Sequence, residues 1–98
     1  MILAKRLWSI FTDDMDHCMF TGSPDIERHH VFNKYNKKRS EKYGFIAPLR
    51  HDLHPNGVQA GKDAKTLDLT LKQRCQTYYE EHYGTREDFI REFGRNYL

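Results

Sequence analysis

Cysteine is scarce in this sequence, and its two thiols, Cys18 and Cys75, stand far apart. The opening stretch MILAKRLWSIF carries no small-residue cleavage site, so no secretion signal is read there. Both thiols are expected reduced, in a cytoplasm, rather than paired as a disulfide framework. Long apolar runs are missing too: nothing approaches the roughly 18 residues that would span a bilayer, so no membrane role is expected. Ninety-eight residues leave room for one domain, 1–98, with a limited core. There is no internal repeat and no low-complexity tract. Hydrophobic residues make up 38% and charged residues 31%, a balance that argues against wholesale disorder. Excess charge of one sign is also lacking. At a net charge of +2, contact with nucleic acid has to be argued from where the charges lie.

They lie unevenly. Lys34, Lys37, Lys38, Arg39 and Lys42 crowd one short segment broken only by Glu41, while acids gather at Asp13, Asp14, Asp16 and at Glu80–Glu81. Such a run is either a phosphate-facing patch or a solvated helix face.

Turn formers and periodicity divide the chain. HCMFTGSPD reads as a strand entering a turn at Gly22–Asp25, and IERHHVF as a second strand, together a β-hairpin. KYNKKRSEKYG is a helix or ordered loop with Gly44 as its stop. FIAPL is a short apolar run, a candidate strand, that Pro48 interrupts. RHDLHPNGVQAGKD is a polar loop. Residues 6–11 are too few to assign. In AKTLDLTLKQRCQTYYEEHYG, the residues Leu67, Leu71, Cys75, Tyr78 and His82 form one helical stripe that ends near Gly84. TREDFIREFG opens with Thr85 three residues before Asp88, an N-terminal capping pattern. Phe89, Ile90 and Phe93 are its expected buried face and Gly94 its end. Tyr78 and Tyr79 are expected to pack rather than to stack on bases. The fold class is α+β: a hairpin, a histidine-bearing loop and two C-terminal helices.

Histidine is the residue in surplus. His17, His29, His30, His51, His54 and His82 make six. Neighbours on a regular strand face opposite ways, but at a strand end His29 and His30 can serve two tasks around one site. One imidazole can bind a metal while the other takes a proton from water. His51 and His54, with Asp52 between them, can bring further ligands or supporting partners to the same ion. Phosphodiester hydrolysis needs a nucleophilic water, a base and positive charge on the phosphate oxygens. A base histidine, a metal-binding histidine and a cationic arm would supply these.

The series CMFTGSPDIERHHVF, KKRSEKYG, PLRHDLHPNGVQ and LDLTLKQRCQ resembles the small HNH-type nucleases of bacteriophages and prophages (His-Me finger, ββα-metal), including their recombination-nuclease-like branch. The resemblance runs from about Ser9 to Leu98. It implies a ββα-metal core that cuts DNA with Mg²⁺ or another divalent ion, Mn²⁺ or Zn²⁺ among them. His30 matches the family's general base. His29 matches its first metal ligand and His54 a ligand from beyond the hairpin. Gln59 stands where relatives carry a further histidine and would offer an amide oxygen. His51, Asp52 and Asn56 are candidate supporting partners, and Lys34, Lys37, Lys38, Arg39 and Lys42 candidate DNA contacts. The chain departs from the family at Thr21 and Arg50, where relatives carry cysteines. With Cys18 alone remaining, a structural zinc is not expected. The motif asparagine has no match near Phe45, with Asn33 and Asn56 as alternatives. The expected function is therefore a metal-dependent DNA endonuclease or nickase, monomeric or weakly dimeric, in a bacterial cytoplasm. The alternative is a catalytically weak or inactive DNA-binding or protein-binding accessory factor on the same fold. Such a factor would serve a terminase, recombination or anti-host-defence role beside phage or host DNA-processing proteins. A zinc-stabilised interaction module is disfavoured by the missing cysteines.

Overall fold

A computed structural model describes residues 7–54 and 61–98. Strand β1 (Ile26–His30) pairs antiparallel with β2 (Ile46–Arg50), Ile26 opposite Arg50 and His29 opposite Ala47. The hairpin expected across Gly22–Asp25 does not form: residues 17–20 are not a strand, and β1 finds its partner beyond an intervening helix. Two physical causes are visible. Residues 18–23 close a local turn, with the Cys18 N–H donating to Ser23 O (2.8 Å) and the Gly22 N–H to Cys18 O (2.9 Å). Ile46, Ala47 and Leu49 are wholly buried, and an apolar run of that kind gains most from pairing where the helices cover it.

Pro48 does not break β2. Its carbonyl accepts the Met19 N–H at 3.0 Å. Its ring nitrogen therefore faces the same outer side, away from β1, where no ladder donor is needed. Residues 7–11 are irregular. The Ile10 N–H donates to Gly44 O (2.8 Å).

The crossing from β1 to β2 contains a 3₁₀ turn (Lys34–Asn36) and helix α1 (Lys37–Tyr43). Gly44 ends α1 as the sequence suggests, at φ 73°. A side chain there would meet the Trp8 ring at 2.7 Å. Ser40 is fully buried. Its hydroxyl donates to Phe32 O (2.6 Å) and accepts the Phe32 N–H (3.1 Å).

Helix α2 (Ala64–His82) and helix α3 (Arg86–Phe93) close the core. The α2 stripe holds at Leu71 and Cys75, then continues to Tyr79 and Gln76. Tyr78 is half-buried and His82 exposed. Docking of α3 decides this, because Tyr79 packs on Phe89 (5.4 Å between centroids) and its hydroxyl donates to Glu92 (2.6 Å). Glu92 also accepts from the Tyr43 hydroxyl at 2.8 Å. Burial first, then Glu92, pushes the Tyr43 pKa up to about 12, so the phenol stays a donor. The capping pattern of α3 is present in both directions: Thr85 Oγ1 accepts the Asp88 N–H, and the Asp88 carboxylate accepts the Thr85 N–H. Phe89 and Phe93 are buried while Ile90 is exposed. Phe32 sits among them, with ring centroids 4.6 Å from Phe93, 5.7 Å from Phe89 and 5.8 Å from Phe45. Cys18 and Cys75 are both buried and free. The architecture is a small α+β domain. Among the described residues, no helix is long and apolar enough to cross a membrane.

Ser40→Ala would strand the buried Phe32 N–H and C=O without their partner. The expected loss is about 1–3 kcal/mol, read as a lower urea midpoint at unchanged slope. A midpoint equal to wild type would refute the role given to this hydroxyl.

Candidate functional site

His29 and His30 close β1, and the pleat sends them apart. His29 is buried, with its Nε2 3.2 Å from Asp68 Oδ1 on α2. His30 turns to α1, where its Nε2 lies 2.8 Å from Glu41 Oε2. Each imidazole thus has a carboxylate from a different helix. A carboxylate on one ring nitrogen fixes that nitrogen as the proton carrier and leaves the other as the basic one. For His30 this makes Nδ1 the available base.

His54 joins them from the far side. It follows the 3₁₀ turn His51–Leu53 after β2, and its ring meets that of His29 edge-on at 4.7 Å. Burial first, then the charge of His29, lowers the His54 pKa and favours the neutral ring that a metal binds. Asp68 is also tied to Lys72 one turn along α2. Burial works against the Asp68 charge, but His29 and Lys72 outweigh it and hold the carboxyl below its ordinary value. Among the described residues, no group of three or more His, Cys, Asp or Glu is arranged to hold a metal ion. Here the facing atoms of His29 and Asp68 are spent on each other.

A cleft of about 310 Å³ opens on this cluster. His29, His30 and His54 line it, with Arg28, Asn33, Lys34 and Lys37 around them. The basic run is therefore divided. Lys34 and Lys37 reach the cleft. Arg39 turns to Asn36 (3.0 Å) and to Glu92 (3.8 Å), and Lys42 lies over the Tyr43 ring at 5.0 Å. Lys38 is exposed and does not line the cleft. The helical period is the reason, since α1 points successive side chains about 100° apart.

His51 and Asp52 have partners of their own. His51 Nε2 is 2.8 Å from Asp25 Oδ1 and its Nδ1 3.1 Å from Glu27 Oε2. Asp52 accepts two hydrogen bonds from Arg50, at 2.6 and 2.9 Å, which lower its pKa. Gln59 and Asn56 lie outside the described residues. Asn33 is at the cleft.

Comparison with protein-family models, curated proteins and solved structures finds no match to this chain. The site therefore has to be read from its own residues. Three of these were missed in the sequence: Asp68, Glu41 and Arg28. Asp68 did leave a signal, being a carboxylate set between leucines on the buried side of a helix. Glu41 left one as the lone acid in a basic run. Arg28 left none.

His51 ties the start of β1 to the turn after β2, and the site is held between them. Glu27 first, then Asp25 against a desolvation cost, raises its pKa above the ordinary 6.5. The folded chain thus binds that proton more tightly than the unfolded chain. The stabilisation is complete below 6.5 and is lost as pH rises through the folded value. In low salt, the melting temperature of His51→Gln should fall furthest below wild type in acid, above the carboxylate range, and the gap should close above neutrality. A gap independent of pH would exclude the charged clamp.

Proposed function

We propose that this protein is a metal-dependent DNA endonuclease or nickase of the HNH type, with a ββα-metal core formed by β1, β2 and α2. The observation that carries the reading is the convergence of His29, His30 and His54 on one cleft edged by Arg28, Lys34 and Lys37. His30 Nδ1 takes the proton of the attacking water while Glu41 holds the ring and accepts its growing charge. Lys34 and Lys37 hold the phosphate backbone against the cleft, and Arg28, whose guanidinium pairs with Asp16 (2.8 Å), edges it. His29 and His54 would hold the divalent ion, Mg²⁺, Mn²⁺ or Zn²⁺. Two imidazoles suit the borderline metals best, and Gln59 would add an oxygen. Such an ion, when bound, stabilises negative charge on the phosphate oxygens. His29 would serve through Nδ1, with Asp68 holding its Nε2. A cytoplasmic setting, action as a monomer or weak homodimer, and phage or host DNA-processing proteins as partners belong to the same reading.

One observation favours the second reading, an accessory factor that binds DNA or protein without cutting. The partly buried His29–Asp68–Lys72 chain is already satisfied within the protein, as a structural network would be.

Plasmid nicking in Mg²⁺ or Mn²⁺ separates the two. His30→Ala should lower the nicking rate by about 10²–10⁴-fold, the usual contribution of a general base. Glu41→Gln should lower it less, with DNA affinity unchanged. Nicking by His30→Ala at the wild-type rate would remove His30 as the base. Saturable DNA binding with no nicking in any metal would leave the accessory reading. Calorimetric titration of the same ions, with His29→Ala and His54→Ala alongside, should show one site lost in both variants.

A further inference from the structure

Tyr35 is 95% exposed, more than any other large apolar side chain among the described residues. It stands at the centre of the 3₁₀ turn Lys34–Asn36, between the two lysines that line the cleft, Lys34 and Lys37. The turn is held firmly. The Asn36 N–H donates to Asn33 O (3.1 Å), and Asn36 Nδ2 donates to Phe93 O (3.3 Å) on the body of the domain. Its Oδ1 accepts from Arg39 (3.0 Å). Lys34 is the one non-glycine residue with positive φ among those described, at 55°. A side chain held in the left-handed region is strained, and it persists only where the surroundings impose it. The turn thus presents an aromatic ring to solvent between two cations that line the cleft.

We infer that Tyr35 is a stacking platform for an unpaired nucleobase, so that the preferred substrate is DNA with unpaired bases next to the cleft rather than continuous duplex. This rests on the DNA reading above and names its substrate class. Lys34 and Lys37 are placed to take the phosphates on either side of the base that lies on the phenol face. In continuous duplex every base is already stacked and paired, and the ring could be used only after unstacking. In a single strand the base face is free, and an aromatic platform of this kind binds it with little regard to sequence.

The test is fluorescence anisotropy at fixed salt in EDTA, which needs neither a metal nor cleavage. The probes are a labelled single-stranded oligonucleotide and a blunt duplex of the same sequence. Wild type should favour the single strand. Tyr35→Ala should weaken single-strand binding by about 5- to 150-fold, the range for loss of one stacked base, and leave duplex binding unchanged. Tyr35→Phe should bind as wild type, because the ring face remains. All should melt at the same temperature, since the side chain is outside the core. Single-strand binding by Tyr35→Ala equal to wild type, or an equal loss on both probes, would overturn the inference. No binding of either probe by wild type would overturn the DNA reading along with it. Binding as expected from a protein that never nicks would sustain the stacking role and remove only the hydrolysis.

Discussion

The site depends on a loop being closed against itself. Between His30 and Ile46 the chain must leave the sheet, make a helix and return antiparallel, and the backbone it takes into the interior must be satisfied there. Ser40 does this from the middle of α1, pairing with both the N–H and the C=O of Phe32. The Val31 N–H, donated to Phe45 O at 3.0 Å, makes the last backbone link beyond the strand. β1 therefore ends at His30, and α1 is pinned where Glu41 faces His30 and Lys37 faces the cleft. A hydroxyl of no catalytic use thus decides which way the cationic helix points.

The two histidines divide the interior and the surface between them. His29 belongs to the packed side, against α2 and Asp68. His30 belongs to the half-open side, against α1 and Glu41. That division follows from the two-residue period of a strand, and a strand end lets both reach one cleft. His54 arrives from a segment that the strand pairing brings back alongside, with the His51 clamp to Asp25 and Glu27 holding the return. The cations around the cleft are few, which fits the modest net charge: local placement supplies the field that the total does not.

Glu92 plays a comparable part on the far side of the core. It accepts from Tyr43 and Tyr79, joining α1, α2 and α3 around one carboxylate beneath the aromatic cluster. Buried phenols are costly without a partner, and one acid satisfies both. Gln76, also buried, binds Glu80 and Asn96 and accepts the Tyr97 N–H at 2.7 Å, which carries the C-terminal segment back onto α2.

Local rules were legible where one residue or one short pattern suffices. The capping pair Thr85–Asp88, the glycine stops at Gly44 and Gly94, the strand at Ile26–His30 and the helical stripe through Leu71 and Cys75 all follow from backbone chemistry within a few residues, so the α+β class could be read. The hairpin partner was misread because strand pairing is a contest between distant segments, and the buried run Ile46–Leu49 wins it over the exposed turn before Asp25. The basic segment looked like one patch because a linear run has no direction until a helix of known phase gives it one. Glu41 and Asp68 became visible as partners only when α1 and α2 packed beside β1. The sequence by itself determined which residues could do proton or metal chemistry, since side-chain type is covalent. The tertiary structure alone decided which of them meet, since a distance between residues 39 positions apart, as for His29 and Asp68, is set by how helices dock on a shared core.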